Sequence, residues 1–297
     1  MNRLVATLAM AAGLAVPLEA QQDSVRIQTV PVADGIYMLV GSGGNIGLAV
    51  GEDAIFLVDD QFAPLSQKIT DAIRAVSDKP VRFLLNTHWH GDHTGGNENF
   101  GKVGVLIVAH DNVRQRMSVE QFLARFNQKV PASPKAALPV ITFSEVVTFH
   151  INGDDIHAIH VKNAHTDGDA IVHWQKSNVM HMGDVFFNGF YPFIDIGSGG
   201  SINGMIAGAT TALTYVNEST RVIPGHGPLG GKADLVAFVA MLTGIRDNVQ
   251  KLVARKQTLE QVLAAKPSAA WDEKWGKGFM KPADFVTSVY ESLAGKK

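Results

Sequence analysis

The amino-acid sequence predicts an α/β fold in which two sheets pack together with helices outside. Three observations carry that expectation. Short runs rich in Val, Ile and Phe, parted by Gly-containing turns, dominate the early chain, as successive strands do. Amphipathic stretches with apolar residues at helical spacing flank each half, the pattern of helices laid on a sheet. Hydrophobic residues make up 46% and charged residues 18% of 297 positions, a balance that supports a packed core and excludes wholesale disorder. With no repeat, low-complexity tract or linker in view, residues 21–297 are expected to form one domain with a C-terminal helical extension.

The first strands are expected at Ile36–Val40, Ile46–Val50 and 54–58. Residues 66–76 place Ile69, Ile73 and Val76 on one helical face. Val81–Leu85 reads as a buried strand, 103–108 as another and 111–126 as a helix; Pro131, Pro134 and Pro139 then mark an irregular connection. Strands resume at 145–151, 156–160, 170–174 and 179–182. Helices follow at 203–216 and 232–255, with strand Arg221–Ile223 between them, and a last helix at 282–293 carries Phe285, Val286, Val289 and Tyr290.

Residues 1–20 read as a secretory signal peptide: Arg3 is followed by 13 apolar or small residues at 4–16, Pro17 breaks the run, and a cleavage site lies near Ala20. A periplasmic or secreted location is therefore expected. No later segment reaches about 18 uninterrupted apolar residues, so no membrane span is expected in the mature chain. The 26 Lys+Arg nearly cancel the 28 Asp+Glu, which gives no general attraction for nucleic acid or an anionic membrane. Cysteine is absent, excluding disulfides, thiolate metal sites and a cysteine nucleophile. Any metal must be held by nitrogen and oxygen, which directs attention to the 11 histidines.

His88-Trp89-His90-Gly91-Asp92-His93 follows a hydrophobic strand directly. In extended chain, residues two apart point to the same side, so His88 and His90 can present two imidazoles to one metal. Gly91, Gly95 and Gly96 permit the turn that follows, and Asp92 and His93 then aim at a neighbouring position. Four such ligands in six residues exceed what one tetrahedral zinc takes from so short a loop, which implies two metals.

The stretch THWHGDHTGGN resembles the HxHxDH motif of the metallo-β-lactamase superfamily, and downstream segments follow in the family's order: NAHTDGD with His165, HMGDVFF with Asp184 and PGHGP with His226. The resemblance covers roughly residues 25–230 and implies the four-layer αβ/βα sandwich with its site at one edge of the two sheets. It further implies two Zn2+ ions: the first on His88, His90 and His165, the second on Asp92, His93 and His226, with Asp184 bridging. Asp59 or Asp60, at a strand end, resembles the superfamily's early Asp that supports the metal loop. His110 is expected to start a helix, and His150, His157, His160, His173 and His181 are expected to be ordinary sheet histidines.

A metal-activated water is expected to attack a carbonyl carbon of a small-molecule substrate, with Asp92 able to return a proton to the leaving group. Weak or promiscuous β-lactam ring opening is the leading expectation, because export places the enzyme where that drug's targets face. A lactonase, esterase or thioesterase is the alternative, since a bridging Asp is shared by lactonases and glyoxalase-II-like thioesterases, whereas lactamases of this fold often place Cys there. Residues 36–44 and 186–196 are expected to form the pocket rims, with Trp89, Phe186 and Tyr191 as candidate lining residues.

Overall fold

Six strands in chain order build the first sheet of the computed structural model, which describes residues 24–295: β1 (Gln28–Ala33), β2 (Ile36–Val40), β3 (Ile46–Val50), β4 (Ile55–Val58), β5 (Val81–Leu85) and β6 (Leu106–His110). A small separate hairpin follows, β7 (Gln121–Leu123) with β8 (Gln128–Val130), before β9 (Ile141–Phe143) closes the sheet beside β6. The second sheet takes β10 (Val146–Ile151), β11 (Asp154–Val161), β12 (Asp169–Trp174), β13 (Val179–His181), β14 (Arg221–Ile223) and β15 (Gly230–Gly231) in order. The expected signal peptide lies outside the described residues.

Alternation along the strands creates the layers. In β4, Phe56 and Val58 belong to the core between the sheets, while Ile55 and Leu57 point to the outer face, the two-residue period of a pleated strand. In β12, Ala170, Val172 and Trp174 face inward and Ile171 outward. Helix α1 (Ser66–Arg74) covers the outer face of the first sheet with Ile69 and Ile73. After β5 come the short α2 (Gly91–Thr94) and α3 (Asn97–Lys102), and α4 (Asp111–Met117) follows β6. The outer face of the second sheet is covered by α5 (Ile202–Leu213) and α6 (Lys232–Ala254), then by α7 (Leu259–Ala264), α8 (Ala269–Trp275) and α9 (Pro282–Ala294). The result is the expected αβ/βα sandwich. Among the described residues, no helix is long and apolar enough to cross a membrane.

Three expectations change. The helix expected over 111–126 stops at Met117. Ser118 Oγ donates to the Arg114 carbonyl and the Gln121 side chain donates to that of Arg116, so side chains take up carbonyls at the helix end. Val119 and Phe122 are exposed, so a longer helix would have no apolar face to bury there. The strand expected from 103 starts at Leu106, because Gly104 turns the chain at φ +91°. β1, α7 and α8 were not legible; β1 is half exposed along its length and carries no clean apolar run. His110 does cap α4, its Nδ1 accepting from the Asn112 amide.

Candidate metal centre

Each of the candidate ligands follows a strand end. β5 delivers His88 and His90, and the first turn of α2 carries Asp92 and His93. His165 lies between β11 and β12, Asp184 in a 3-10 turn after β13, and His226 just beyond β14. The backbone crowds the centre so closely that two glycines are obligatory: a Cβ at Gly44 would lie 2.1 Å from the His93 ring, and one at Gly225 2.1 Å from Asp184 Oδ1.

The seven side chains converge in two groups. Ligand atoms of His88, His90, His165 and Asp184 all lie within 4.8 Å of one another, as do those of Asp92, His93 and His226. Asp184 reaches both: Oδ2 is 3.5 Å from His165 Nε2 and 3.8 Å from His88 Nε2, while Oδ1 is 3.2 Å from His93 Nε2 and 3.4 Å from His226 Nε2. Asp92 Oδ2 stands 3.2 Å from His226 Nε2 and 3.6 Å from His93 Nε2.

Outer hydrogen bonds fix which nitrogen faces the centre. His93 Nδ1 donates to Asp59 Oδ2 at 2.8 Å, and His165 Nδ1 to the Phe193 carbonyl at 2.8 Å. His90 is turned the other way: Nε2 donates to Asp195 Oδ2 at 2.9 Å, leaving Nδ1 2.8 Å from His165 Nε2. His88 Nδ1 donates to Thr87 Oγ1, which donates on to Asp59 Oδ2. Each of the four imidazoles therefore turns one nitrogen toward the centre, as partners behind metal-binding histidines make them do. His88 Nε2 and Asp184 Oδ1 are buried without a hydrogen-bond partner among the described residues. A cation beside each atom would satisfy it, and a set of imidazoles and carboxylates without thiolate suits a divalent metal such as zinc. The residues fit a metal.

The charges point the same way. Burial, aided by neighbouring imidazoles, holds His88 well below its ordinary value, and burial takes His165 down to about 4. Burial opposes the charge on His226, but the Asp184 and Asp92 carboxylates prevail and raise it to about 9. A raised imidazole steadies the metal-free fold below its ordinary value, and this contribution is lost as pH rises through about 9. At neutral pH the His226 proton must therefore leave when a cation binds. Burial opposes the charge on His93 too, but the Asp184, Asp92 and Asp59 carboxylates hold it well above its ordinary value. We therefore expect metal uptake at neutral pH to release more than one proton, from His226 and His93 together. Zinc titrations in two buffers of different ionisation enthalpy measure it, and identical apparent heats would refute it.

Of the supporting residues expected, Asp59 accepts from the Thr87 amide as well as from Thr87 Oγ1 and His93. Asp60 Oδ1 accepts from the Gly96 amide, tying the turn after α2, and burial raises its carboxyl well above the usual range. The expected lining residues need correcting. Phe186 is fully buried edge-on to Phe238. Tyr191 donates to Asp272 Oδ1 and stacks on Phe285, so the C-terminal helices consume it. Trp89 packs with Val113 and Met117 and donates to Ser198 Oγ. Trp89 also meets His90 edge-on at 4.8 Å, Phe187 stacks on His226 at 5.2 Å, and Phe193 stacks on His90 at 5.9 Å.

Sequence reasoning missed Asp195, Asn45 and Asp169. Asn45 Nδ2 donates to the Pro224 and Gly227 carbonyls, fixing the His226 loop. Asp169 accepts from the His165 and Thr166 amides and stood within the quoted NAHTDGD stretch. Asp195 sits 105 positions from His90, with no local pattern to announce it. Asp195→Ala is expected to weaken metal retention about 10- to 100-fold. Asp195→Asn, whose oxygen can still accept from Nε2, should lose less. Chelator competition checks the order, and equal losses would contradict it.

Beside His226 opens a cleft of about 500 Å3, bounded by Met38, Val40, Gly43, Asn45, Phe190 and Leu229. Among the described residues, no lysine, arginine or carboxylate lines it. A larger hollow of about 670 Å3 under α1 contains none of the seven ligands.

A family model described as the metallo-beta-lactamase superfamily matches residues 39–233. A hydroxyacylglutathione hydrolase from a Polaromonas species is 26% identical over 196 residues, taking in 62% of this chain and 66% of the relative. The chain thus spans just under two thirds of that relative's length. Among solved structures, a metallo-beta-lactamase from Pontibacter korlensis aligns at TM-score 0.59 and 17% identity, covering 73% of this chain and 99% of the other. The metallo-beta-lactamase DIM-1 aligns at TM-score 0.58 and 21% identity, covering 74% and 99%.

Proposed function

The chain belongs to the metallo-beta-lactamase superfamily, and on that premise we propose that this hydrolase cleaves ester-type carbonyls, thioesters and lactones foremost, at a centre of two zinc ions. The observation that carries the reading is Asp184, whose two oxygens face the two ligand groups separately, the arrangement expected of a bridging carboxylate. The hydroxyacylglutathione hydrolase relative supports the same substrate class.

Bound zinc would supply an acidified water and polarise the substrate carbonyl. The protein's own contribution is to hold and orient. His90 and His165 are locked by Asp195 and the Phe193 carbonyl, and His93 by Asp59. In the metal-free protein burial would raise the Asp92 carboxyl, but His93 and His226 outweigh it and hold it well below the usual carboxylate range. Once those histidines give up their protons, Asp92 would be kept ionised by a bound cation instead. It can take a proton only fleetingly and is a poor general acid. Thiolate and alkoxide leaving groups tolerate that better than the amine of a lactam, which must be protonated as it leaves. The cleft, with no lysine, arginine or carboxylate among its described lining residues, suits an uncharged acyl ester better than an anionic substrate, whether a β-lactam or a glutathione thioester.

β-Lactam opening is the second reading, favoured by the likeness in fold to two β-lactamases. Metal-loaded protein assayed on an S-acyl glutathione, a lactone, a phenyl ester and nitrocefin separates the two. We expect kcat/KM on the best ester or thioester to exceed that on nitrocefin at least about 100-fold, about 2.7 kcal/mol in barrier. Nitrocefin hydrolysed as well as every ester would overturn the reading. We also place the enzyme outside the cytoplasm, from the leader-like residues 1–20; a mature N-terminus just after Ala20 would bear this out.

A further inference from the structure

We propose that Phe126, Phe193 and Phe279 form an apolar subsite beside the metal centre that takes the acyl chain of the substrate, so that medium-chain acyl esters and thioesters are the preferred class. The inference rests on the ester and thioester reading above and narrows it.

The three rings come from separate parts of the chain. Phe126 sits at the turn of the β7–β8 hairpin, Phe193 in the loop after Asp184, and Phe279 between α8 and α9. They nonetheless meet: centroids lie 5.5 Å apart for Phe126 and Phe193, 6.3 Å for Phe126 and Phe279, and 6.4 Å for Phe193 and Phe279. Phe193 joins the trio to the chemistry, its ring 5.9 Å from His90 and 5.6 Å from His165. Phe193 is buried, but Phe126 is 47% and Phe279 54% exposed. A single exposed ring is unremarkable. Two exposed rings that lengthen a buried one already touching metal-centre histidines make a continuous apolar track from ligands to solvent. Arg125 Nη2 holds Asp284 Oδ2 of α9 at 2.8 Å, pinning the hairpin against the C-terminal helix that follows Phe279. The track is therefore assembled before substrate arrives, so little ordering cost falls on binding. Phe279 lies beyond residues 39–233, which the superfamily model matches, so this wall is a feature of this chain's own extension. An acyl chain is the occupant that the geometry favours, because the track begins at the metal centre, where an ester places its carbonyl.

The test uses metal-loaded protein and p-nitrophenyl acetate, butyrate and octanoate. Each methylene that the track buries should raise kcat/KM about fourfold. Phe126→Ala and Phe279→Ala should each cut the octanoate-to-acetate ratio of kcat/KM about tenfold. Phe122→Ala, an exposed phenylalanine on the same hairpin, should leave that ratio as it is. A ratio unchanged in both Phe126→Ala and Phe279→Ala, or equally reduced in Phe122→Ala, overturns the proposal. So does light scattering in which these variants abolish self-association while the ratio stays constant, since the rings would then serve contact between copies. If no ester is turned over, calorimetric titration with free octanoate and acetate decides independently. Octanoate binding at least about tenfold tighter than acetate, and lost in the variants, keeps the subsite while the ester reading falls. Equal binding of the two acids removes the subsite.

Discussion

Asp184→Asn is expected to leave the protein folded, to cost at least one of two metal equivalents, and to lower kcat/KM about 10³-fold or more. The carboxylate lies 5% exposed, between His165 and His88 on one side and His93 and His226 on the other. An asparagine of the same shape has one acceptor oxygen, so it can serve one ligand group while turning an amide donor toward the other. The lost negative charge acts on both. Metal-derived stabilisation of a transition state is worth several kcal/mol, and each 1.36 kcal/mol is a factor of ten, which gives the magnitude. Elemental analysis and steady-state kinetics on the purified variant measure both quantities. Two retained equivalents with undiminished turnover would show that Asp184 is not shared, and the ester reading would lose its main support.

The convergence of the candidate ligands was legible because each sits within a few residues of a strand end, so the local pattern and the chemistry coincide. His88 and His90 are two apart in extended chain, and His165, Asp184 and His226 stand in short Gly- or Asp-bearing turns. Their partners were legible only where they share that locality, as Asp59 and Asp60 do at the end of β4. Asp195 acts across the fold, and only the packed structure brings it to His90. The aromatic wall failed for a related reason. Between Asp184 and Asp195 the sequence offers Phe186, Phe187, Phe190, Tyr191 and Phe193 with nothing to say which side each faces. The later helices decide: Phe238 takes Phe186, and Phe285 and Asp272 take Tyr191. Phe187 and Phe193 remain for the metal centre. The 111–126 region misled because helical periodicity is visible in sequence, whereas the lack of a surface to bury its apolar face is not.

Asp59 is the second position where a small change should have a large effect, and its two variants should fail differently. The side chain is 0% exposed and accepts three hydrogen bonds, from the Thr87 amide on Oδ1 and from Thr87 Oγ1 and His93 Nδ1 on Oδ2. Through Thr87 it also orients His88, so one carboxylate governs a histidine in each ligand group. Its backbone is left-handed, φ +62°, which asparagine tolerates better than alanine. Asp59→Ala strands three buried donors, each costing about 1–3 kcal/mol, and adds about 1–2 kcal/mol of backbone strain. A loss of about 4 kcal/mol or more in stability is expected, the low end of these terms together. Asp59→Asn keeps the shape and the backbone preference. With its oxygen on the Thr87 amide, however, its NH2 occupies the Oδ2 position and donates to His93 Nδ1. His93 must then carry its proton on Nε2, aimed at the centre, where it blocks a cation instead of binding one. Asp59→Asn should therefore unfold in denaturant within about 1.5 kcal/mol of the parent, the net worth of an ordinary hydrogen bond, yet hold metal at least about 100-fold more weakly, the upper end for loss of a partner behind a ligand. Denaturation of the metal-free proteins gives the first quantity and chelator competition the second. Full metal affinity in Asp59→Asn would show that the His93 tautomer is not set by this carboxylate.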